Sequence, residues 1–278
     1  MTKYAKNSRP VHCVMLAGSA AVGKTTLAAE IKALGESDGY LYDVTILGSP
    51  VRKTTGDLLG RTSEASAASV SIEDRQRLQA ALAAKYHEQV IAALNTLADN
   101  RSGTGRTQIL VVDRSPFDIA SYSIVAFPDW RMADVVTCTR YAEETLSSVF
   151  DFSKKGLQVH LALYQLRYPG WWAATQEGKD AGLDGFRTNS AARNFVWDLV
   201  LAHQLRSFTD RHVFAEGGRF RHDVFSTQNK ENPAERATRV LQGIIKTEHT
   251  VGRIREWDGA QQSLQPVVAE QHRRVKKT

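Results

Sequence analysis

The run Gly18-Ser19-Ala20-Ala21-Val22-Gly23-Lys24-Thr25 lies between an apolar stretch, Val11 to Ala17, and an Ala- and Leu-rich segment, Thr25 to Leu34. Two glycines separated by four residues and followed by Lys-Thr spell the phosphate-binding P-loop. The apolar stretch reads as a short, buried parallel strand and the Ala/Leu segment as a helix. A loop joining such a pair wraps a phosphate. Its backbone N–H groups and the helix N-terminus form a nest of positive partial charge. Lys24 reaches the outer phosphates, the Thr25 hydroxyl ligates Mg²⁺, and Thr26 supports the helix start. The alternative, a Gly/Ala-rich turn with a surface lysine, does not account for these flanks. A nucleoside triphosphate, with ATP the first choice, is the expected ligand.

Further along the chain, strand and helix patterns alternate without internal repeats, which is an α/β plan. Strands are expected at Val44–Gly48, Ile109–Asp113, Leu157–Leu163 and Arg221–Ser226, and Ser49–Ser71 reads as a polar loop. A long helix from about Ile72 to Leu97 sets Leu78, Leu82, Val90, Ile91 and Leu94 at mostly helical spacing. It packs on the sheet or pairs with a second subunit in a homodimer, and the core is the expected place. Pro233 suits the first turn of a last helix running to about Ile245. The expected fold is a three-layer α/β P-loop fold: a parallel five-stranded sheet flanked by helices, with a lid insertion at about 165–195. Residues 1–246 form this domain and 247–278 a basic C-terminal tail.

With 278 residues, 42% of them hydrophobic, the chain can bury a sizeable core, and no apolar stretch is long enough to span a membrane. Met1 to Pro10 is polar and lacks an apolar signal-peptide core. Cys13 and Cys138 make neither a disulfide framework nor a zinc pattern, so both are expected as buried thiols in a reducing cytoplasm. The net charge of +6 suits a polyanionic partner or phosphate ligands equally. The tail His272-Arg273-Arg274-Val275-Lys276-Lys277 reads as a solvated end. No nucleic-acid module is recognisable.

The third strand ends in Asp113, a carboxylate placed to support Mg²⁺ beside the P-loop strand. Motor ATPases usually follow that Asp with a water-activating Glu; here Arg114 follows, in Asp113-Arg114-Ser115-Pro116-Phe117-Asp118. An arginine there clamps a phosphate or holds an acceptor, because phosphoryl transfer is mostly positioning plus charge stabilisation. A guanine-nucleotide switch is a poor fit. Asn229-Lys230-Glu231-Asn232 ends in Asn where guanine needs a carboxylate, and Asp57-Leu58-Leu59-Gly60 follows no apolar strand.

GSAAVGKT, the strand ending in Asp-Arg-Ser, and the later Asp184-Gly185-Phe186-Arg187 together resemble the P-loop kinases of small nucleoside-type acceptors. These include deoxynucleoside and thymidylate kinases and the NadR-like ATP-binding domains, and phage kinases of 5-hydroxymethyluracil in DNA look alike at this level. The resemblance spans roughly Val11 to Ile245. It implies an ATP- and Mg²⁺-dependent phosphotransferase with a nucleoside- or nucleotide-type acceptor or modified DNA as partner. It also implies that Ser49-Pro50-Val51-Arg52 lines the acceptor pocket, so that Arg52 and Arg114 orient the acceptor. Deoxynucleoside kinases carry a Glu as general base after the second strand, where this chain has Leu47-Gly48-Ser49. Asp118 is the replacement expected, with Asp113 and Glu64 as further candidates and a helix-cap role as the alternative for Asp118. Arg187 and Arg193 are the expected lid arginines, closing over the phosphates. Trp171 and Trp172 stack on a base or pack the lid, and Ser226–Asn232 occupies the place of an adenine-contacting loop. Two other classes stay open: a DNA-directed kinase, and a non-kinase ATPase or nucleotide-binding regulator.

Overall fold

The computed structural model describes residues 10–19, 22–50, 54, 57, 71–100, 106–126, 132–152, 157–167, 183–184, 187–188, 191–212, 220–226 and 232–248. The first strand, β1 (Val11–Ala17), is buried at every position, as expected for a strand with neighbours on both sides and helices on both faces. It pairs in parallel with β3 (Gln108–Asp113) on one side and β4 (Val159–Arg167) on the other. β2 (Asp43–Leu47) adds to β3, and β7 (Phe220–Ser226) to β4. The result is a five-stranded parallel sheet in the order β2-β3-β1-β4-β7. A separate antiparallel pair is formed by β5 (Leu183–Asp184) and β6 (Arg187–Thr188).

The strand order runs outward in both directions from β1, so the carboxyl ends of β1, β3 and β4 bound the crevice where ligands bind in open α/β sheets. Alternation along β1 assigns its side chains to two cores. Cys13, Met15 and Ala17 face one layer, with Leu110 and Val112 of β3 and Leu161 and Leu163 of β4. That layer contains α2 (Ile72–Asp99), α3 (Pro116–Ala126), α4 (Met132–Phe150) and α5 (Ala191–His212). Val14 and Leu16 face the opposite layer, built from α1 (Lys24–Gly35) and a last helix, α6, over 233–248. The Cys13 thiol is pushed up to about 12 by burial, which makes it an inert core group.

The long helix α2 packs into the core through Leu78, Leu82, Tyr86, Val90 and Leu94. Its start is set by Ser71, whose Oγ accepts from the Asp74 N–H at 3.1 Å. Several expected boundaries shift. β2 begins at Asp43 and ends at Leu47. β4 begins at Val159 and runs four residues past Leu163, because Tyr164 and Leu166 still bury against the α1/α6 layer. Within the expected polar loop Ser49–Ser71, Thr54 and Asp57 carry helical backbone, and the Thr54 N–H bonds to the Pro50 carbonyl at 3.0 Å. Thr247 and Glu248, assigned above to the tail, form the end of α6, and Glu248 Oε1 lies 3.2 Å from His12 Nε2. Among the described residues no helix is long and apolar enough to cross a membrane.

Candidate functional site

The phosphate loop leaves β1 at Gly18, whose φ of 145° favours glycine. A Cβ at this position would run into the Leu166 carbonyl oxygen of β4. The loop closes at Gly23, φ 91°, which serves as N-cap of α1 without any side-chain cap. The first-turn N–H groups of α1 are thus left for an anion. Lys24 folds back over the loop, its Nζ donating to the carbonyls of Gly18 and Ser19, each at 2.6 Å. Val22 is buried, Thr25 and Thr26 are exposed in the first turn of α1, and Ala20 and Ala21 lie outside the described residues.

Burial, and then the nearby positive charge of Arg114, pull Lys24 down from its ordinary 10.5 to about 8, while Asp118, Asp113 and Asp198 pull the other way. Between about 8 and 10.5 the unfolded chain therefore holds more protons than the folded one. Stability contributed by this group rises with pH across that window, and the burial cost is fully present below it. Anion binding has the opposite sign, since only the ammonium grips phosphate. Magnesium–ATP affinity is expected to be flat below about pH 7.5 and to weaken above it by up to about tenfold per pH unit. Calorimetric titrations across that range check this, and Lys24→Arg, whose guanidinium does not titrate there, should flatten the profile.

At the end of β3, Asp113 meets the loop: the Thr25 hydroxyl donates to Asp113 Oδ2 at 2.7 Å. A hydroxyl and a carboxylate side by side on the open face are hard oxygen donors of the kind Mg²⁺ takes. Arg114 follows with φ 122°, a conformation costing about 1–3 kcal/mol in a non-glycine residue. Its own N–H donates to the Val112 carbonyl at 3.1 Å, and two side chains hold it there. Tyr86 of α2 donates its hydroxyl to the Arg114 carbonyl at 2.6 Å, and the Arg114 guanidinium sits 5.9 Å over the Trp197 ring of α5. The Tyr86 hydroxyl is pushed well above its ordinary range by burial and then by Cys13, Asp118 and Asp113, so it remains a donor. Tyr86→Phe is expected to cost about 1–2 kcal/mol in denaturant unfolding. It should also raise the acceptor KM more than it lowers kcat, because it frees the backbone that aims Arg114.

Asp118, the expected stand-in for a general base, is fully buried. Its Oδ1 accepts the Gly18 N–H at 2.9 Å, and its Oδ2 accepts the N–H and the hydroxyl of Ser115, each at 2.7 Å. The Asp118 carboxylate reaching back to the Ser115 N–H is one half of a capping box at the start of α3, while the Asp118 N–H bonds the Ser115 carbonyl at 3.0 Å. In this structure the carboxylate braces the turn beneath the loop. Asp198 of α5 braces the next peptide, its Oδ1 accepting from the Ser19 N–H at 2.9 Å.

The remaining expected residues are placed less completely. Arg187 pairs through its backbone with Asp184 between β6 and β5, and Arg193 lies in the first turn of α5; their side chains are outside the described set. Arg52, Glu64, Trp171 and Trp172 lie outside the described residues, as does most of Ser226–Asn232. The expected lid range begins inside β4, through Arg167, and ends inside α5, from Ala191.

Five buried residues of α2 and α5 are not among those expected from the motifs: Tyr86, Trp197 and Asp198, which contact the site, and Gln79 and Asn194 on the same two helices. Gln79, two turns before Tyr86 on α2, is buried with its Oε1 unpartnered. Asn194 is buried with both ends of its amide unpartnered, and so is the indole Nε1 of Trp197 one turn along α5. Buried polar atoms of this kind are rare in folded chains. The sequence signal for them is faint: polar residues on otherwise apolar helix faces.

No family model matches the chain, and no curated protein does. Among solved structures it is similar to deoxyadenosine kinase from M. mycoides. The structure with bound dATP is 15% identical, with a TM-score of 0.46 over 83% of this chain and 98% of that one. The structure with dCMP and a flexible dCDP is 13% identical, with a TM-score of 0.45 over 84% of this chain and 99% of that one.

Proposed function

We propose that this chain is an ATP- and Mg²⁺-dependent phosphotransferase that moves the γ-phosphoryl of ATP to a hydroxyl or phosphate of a nucleoside- or nucleotide-type acceptor. The observation that carries the reading is the loop itself: an uncapped helix start, a lysine folded over it, and a Thr25–Asp113 pair beside it at the carboxyl edge of a parallel sheet.

In this reading the loop from Gly18 to Gly23 and the first turn, Lys24 to Thr26, grip the triphosphate. Lys24 spans the transferring phosphoryl and its leaving group. Thr25 and Asp113 would hold magnesium, which neutralises phosphate charge when bound. Arg114, aimed by Tyr86 and Trp197, orients the acceptor together with Arg52. Arg187 and Arg193 supply charge on closure. A strong base is not required for a loose phosphoryl-transfer transition state, where in-line alignment and charge neutralisation carry most of the rate. Asp118 then serves as a brace.

Incubation with γ-labelled ATP and a panel of nucleosides, nucleotides and 5-hydroxymethyluracil-containing DNA tests the reading. Label on a nucleoside or nucleotide supports it. Label on the DNA alone, with binding that falls steeply as salt rises, points to the DNA-directed kinase instead. Release of inorganic phosphate with no labelled acceptor points to an ATPase or regulator.

A further inference from the structure

Helix α5 touches both halves of the candidate site through consecutive residues, each 1% exposed. Asp198 accepts the Ser19 N–H, and its main-chain carbonyl accepts from Gln165 Nε2 of β4 at 3.0 Å. Trp197 lies beneath the Arg114 guanidinium and against Tyr122 of α3, whose ring centroid is 4.9 Å away.

The peptide between Gly18 and Ser19 is held from both sides. Its carbonyl, that of Gly18, accepts from the Lys24 ammonium, and its N–H, that of Ser19, donates to the Asp198 carboxylate. Ammonium, peptide and carboxylate form one line of charge-assisted hydrogen bonds in a dry setting, where each bond polarises the next. A phosphate that draws the Lys24 charge onto itself weakens the ammonium's hold on the Gly18 carbonyl. That change is passed through the same peptide to Asp198.

We infer that α5 registers nucleotide on the phosphate loop and conveys it to Arg114, with Asp198 as the positioning residue on the loop side and Trp197 on the arginine side. This rests on the loop binding a nucleotide, as proposed above. By linkage, an acceptor held by Arg114 changes nucleotide affinity by the same factor as nucleotide changes acceptor affinity.

The probe is magnesium with a non-hydrolysable ATP analogue, added to the full chain with calorimetry and tryptophan emission read in parallel. The Trp197 contribution is the part of the emission change missing in Trp197→Phe. Nucleotide is expected to shift that contribution in the wild type. In Asp198→Ala the analogue should still bind, weakened about threefold to about tenfold, while the Trp197 response is lost. Asp198→Asn keeps an oxygen facing the Ser19 N–H and should restore part of the response, whereas the similarly sized Asp198→Leu, which fills the space without an acceptor, should not; a bulk structural role would be met by both.

Calorimetric binding without a Trp197 response in the wild type, or an unaltered response in Asp198→Ala, overturns the link and leaves the phosphate-loop reading standing. Absence of calorimetric binding removes both. Should Asp198→Ala not fold, hydrogen exchange on the wild type decides: amides of the first turns of α5 should exchange at least about threefold more slowly with the analogue bound, and unchanged exchange overturns the link.

Discussion

Under the proposed function, Lys24→Ala is expected to lower phosphoryl transfer from ATP by about 10²- to 10³-fold, the loss typical of removing one aligned electrostatic group from a transition state. The fold should survive the change. The lysine is buried at a cost that burial and Arg114 register by lowering it to about 8. Truncation removes that cost while leaving the Gly18 and Ser19 carbonyls without their donor, so the two effects oppose each other. The unfolding midpoint should move by only a few degrees, about 5 °C at most. Side-by-side turnover and thermal unfolding check both halves. Retained turnover would take the lysine out of the chemistry; a collapsed fold would make it a structural residue instead.

Asp118→Ala has the opposite signature. It strips the acceptor from two buried N–H groups, those of Gly18 and Ser115, and from the Ser115 hydroxyl. Leaving such donors unpaired should cost about 3–5 kcal/mol in denaturant unfolding. Asp118→Asn retains one carbonyl oxygen and can serve only one of the two sides, so it should recover about half of that loss. Activity should fall in proportion to the disordered loop, with ATP affinity and kcat declining together. A general base behaves otherwise: Asp118→Asn would then leave stability and ATP affinity intact and remove only kcat. The two variants thus separate the brace seen in the structure from the catalytic role that chain position alone allows.

The difference between those roles shows what could be read in advance. β1, the loop and the start of α1 were legible because local composition dictates them: an unbroken apolar strand, glycines where φ is positive, and an Ala/Leu helix behind. Asp113 was legible as the polar stop of an apolar strand that sits next to β1 in the sheet. Helix α3 was not, because its first six residues, Pro116–Ser121, are all buried, the polar Asp118 and Ser121 among them, so that half has no exposed polar face to give it a period. The extension of β4 to Arg167 was missed for a related reason. Tyr164 and Gln165 look like the exit of a strand, yet both bury, and Leu166 closes beneath Gly18.

The contributions of α5 are tertiary in origin. Nothing local in Asn194-Phe195-Val196-Trp197-Asp198 marks it, since Asp198 reaches a loop 179 residues earlier in the chain. Arg114 shows the same limit. Its position after Asp113 was readable, whereas its positive φ and the Tyr86 and Trp197 contacts that hold it depend on packing of α2 and α5.

Calorimetric titration of the purified wild-type chain with ATP, with and without Mg²⁺, and of Lys24→Ala in parallel, probes the phosphate loop most directly. Saturable binding that strengthens with Mg²⁺ and is lost or sharply weakened in Lys24→Ala is the expected result. No uptake of ATP by the wild type, or equal uptake by the lysine variant, would contradict a triphosphate gripped by this loop.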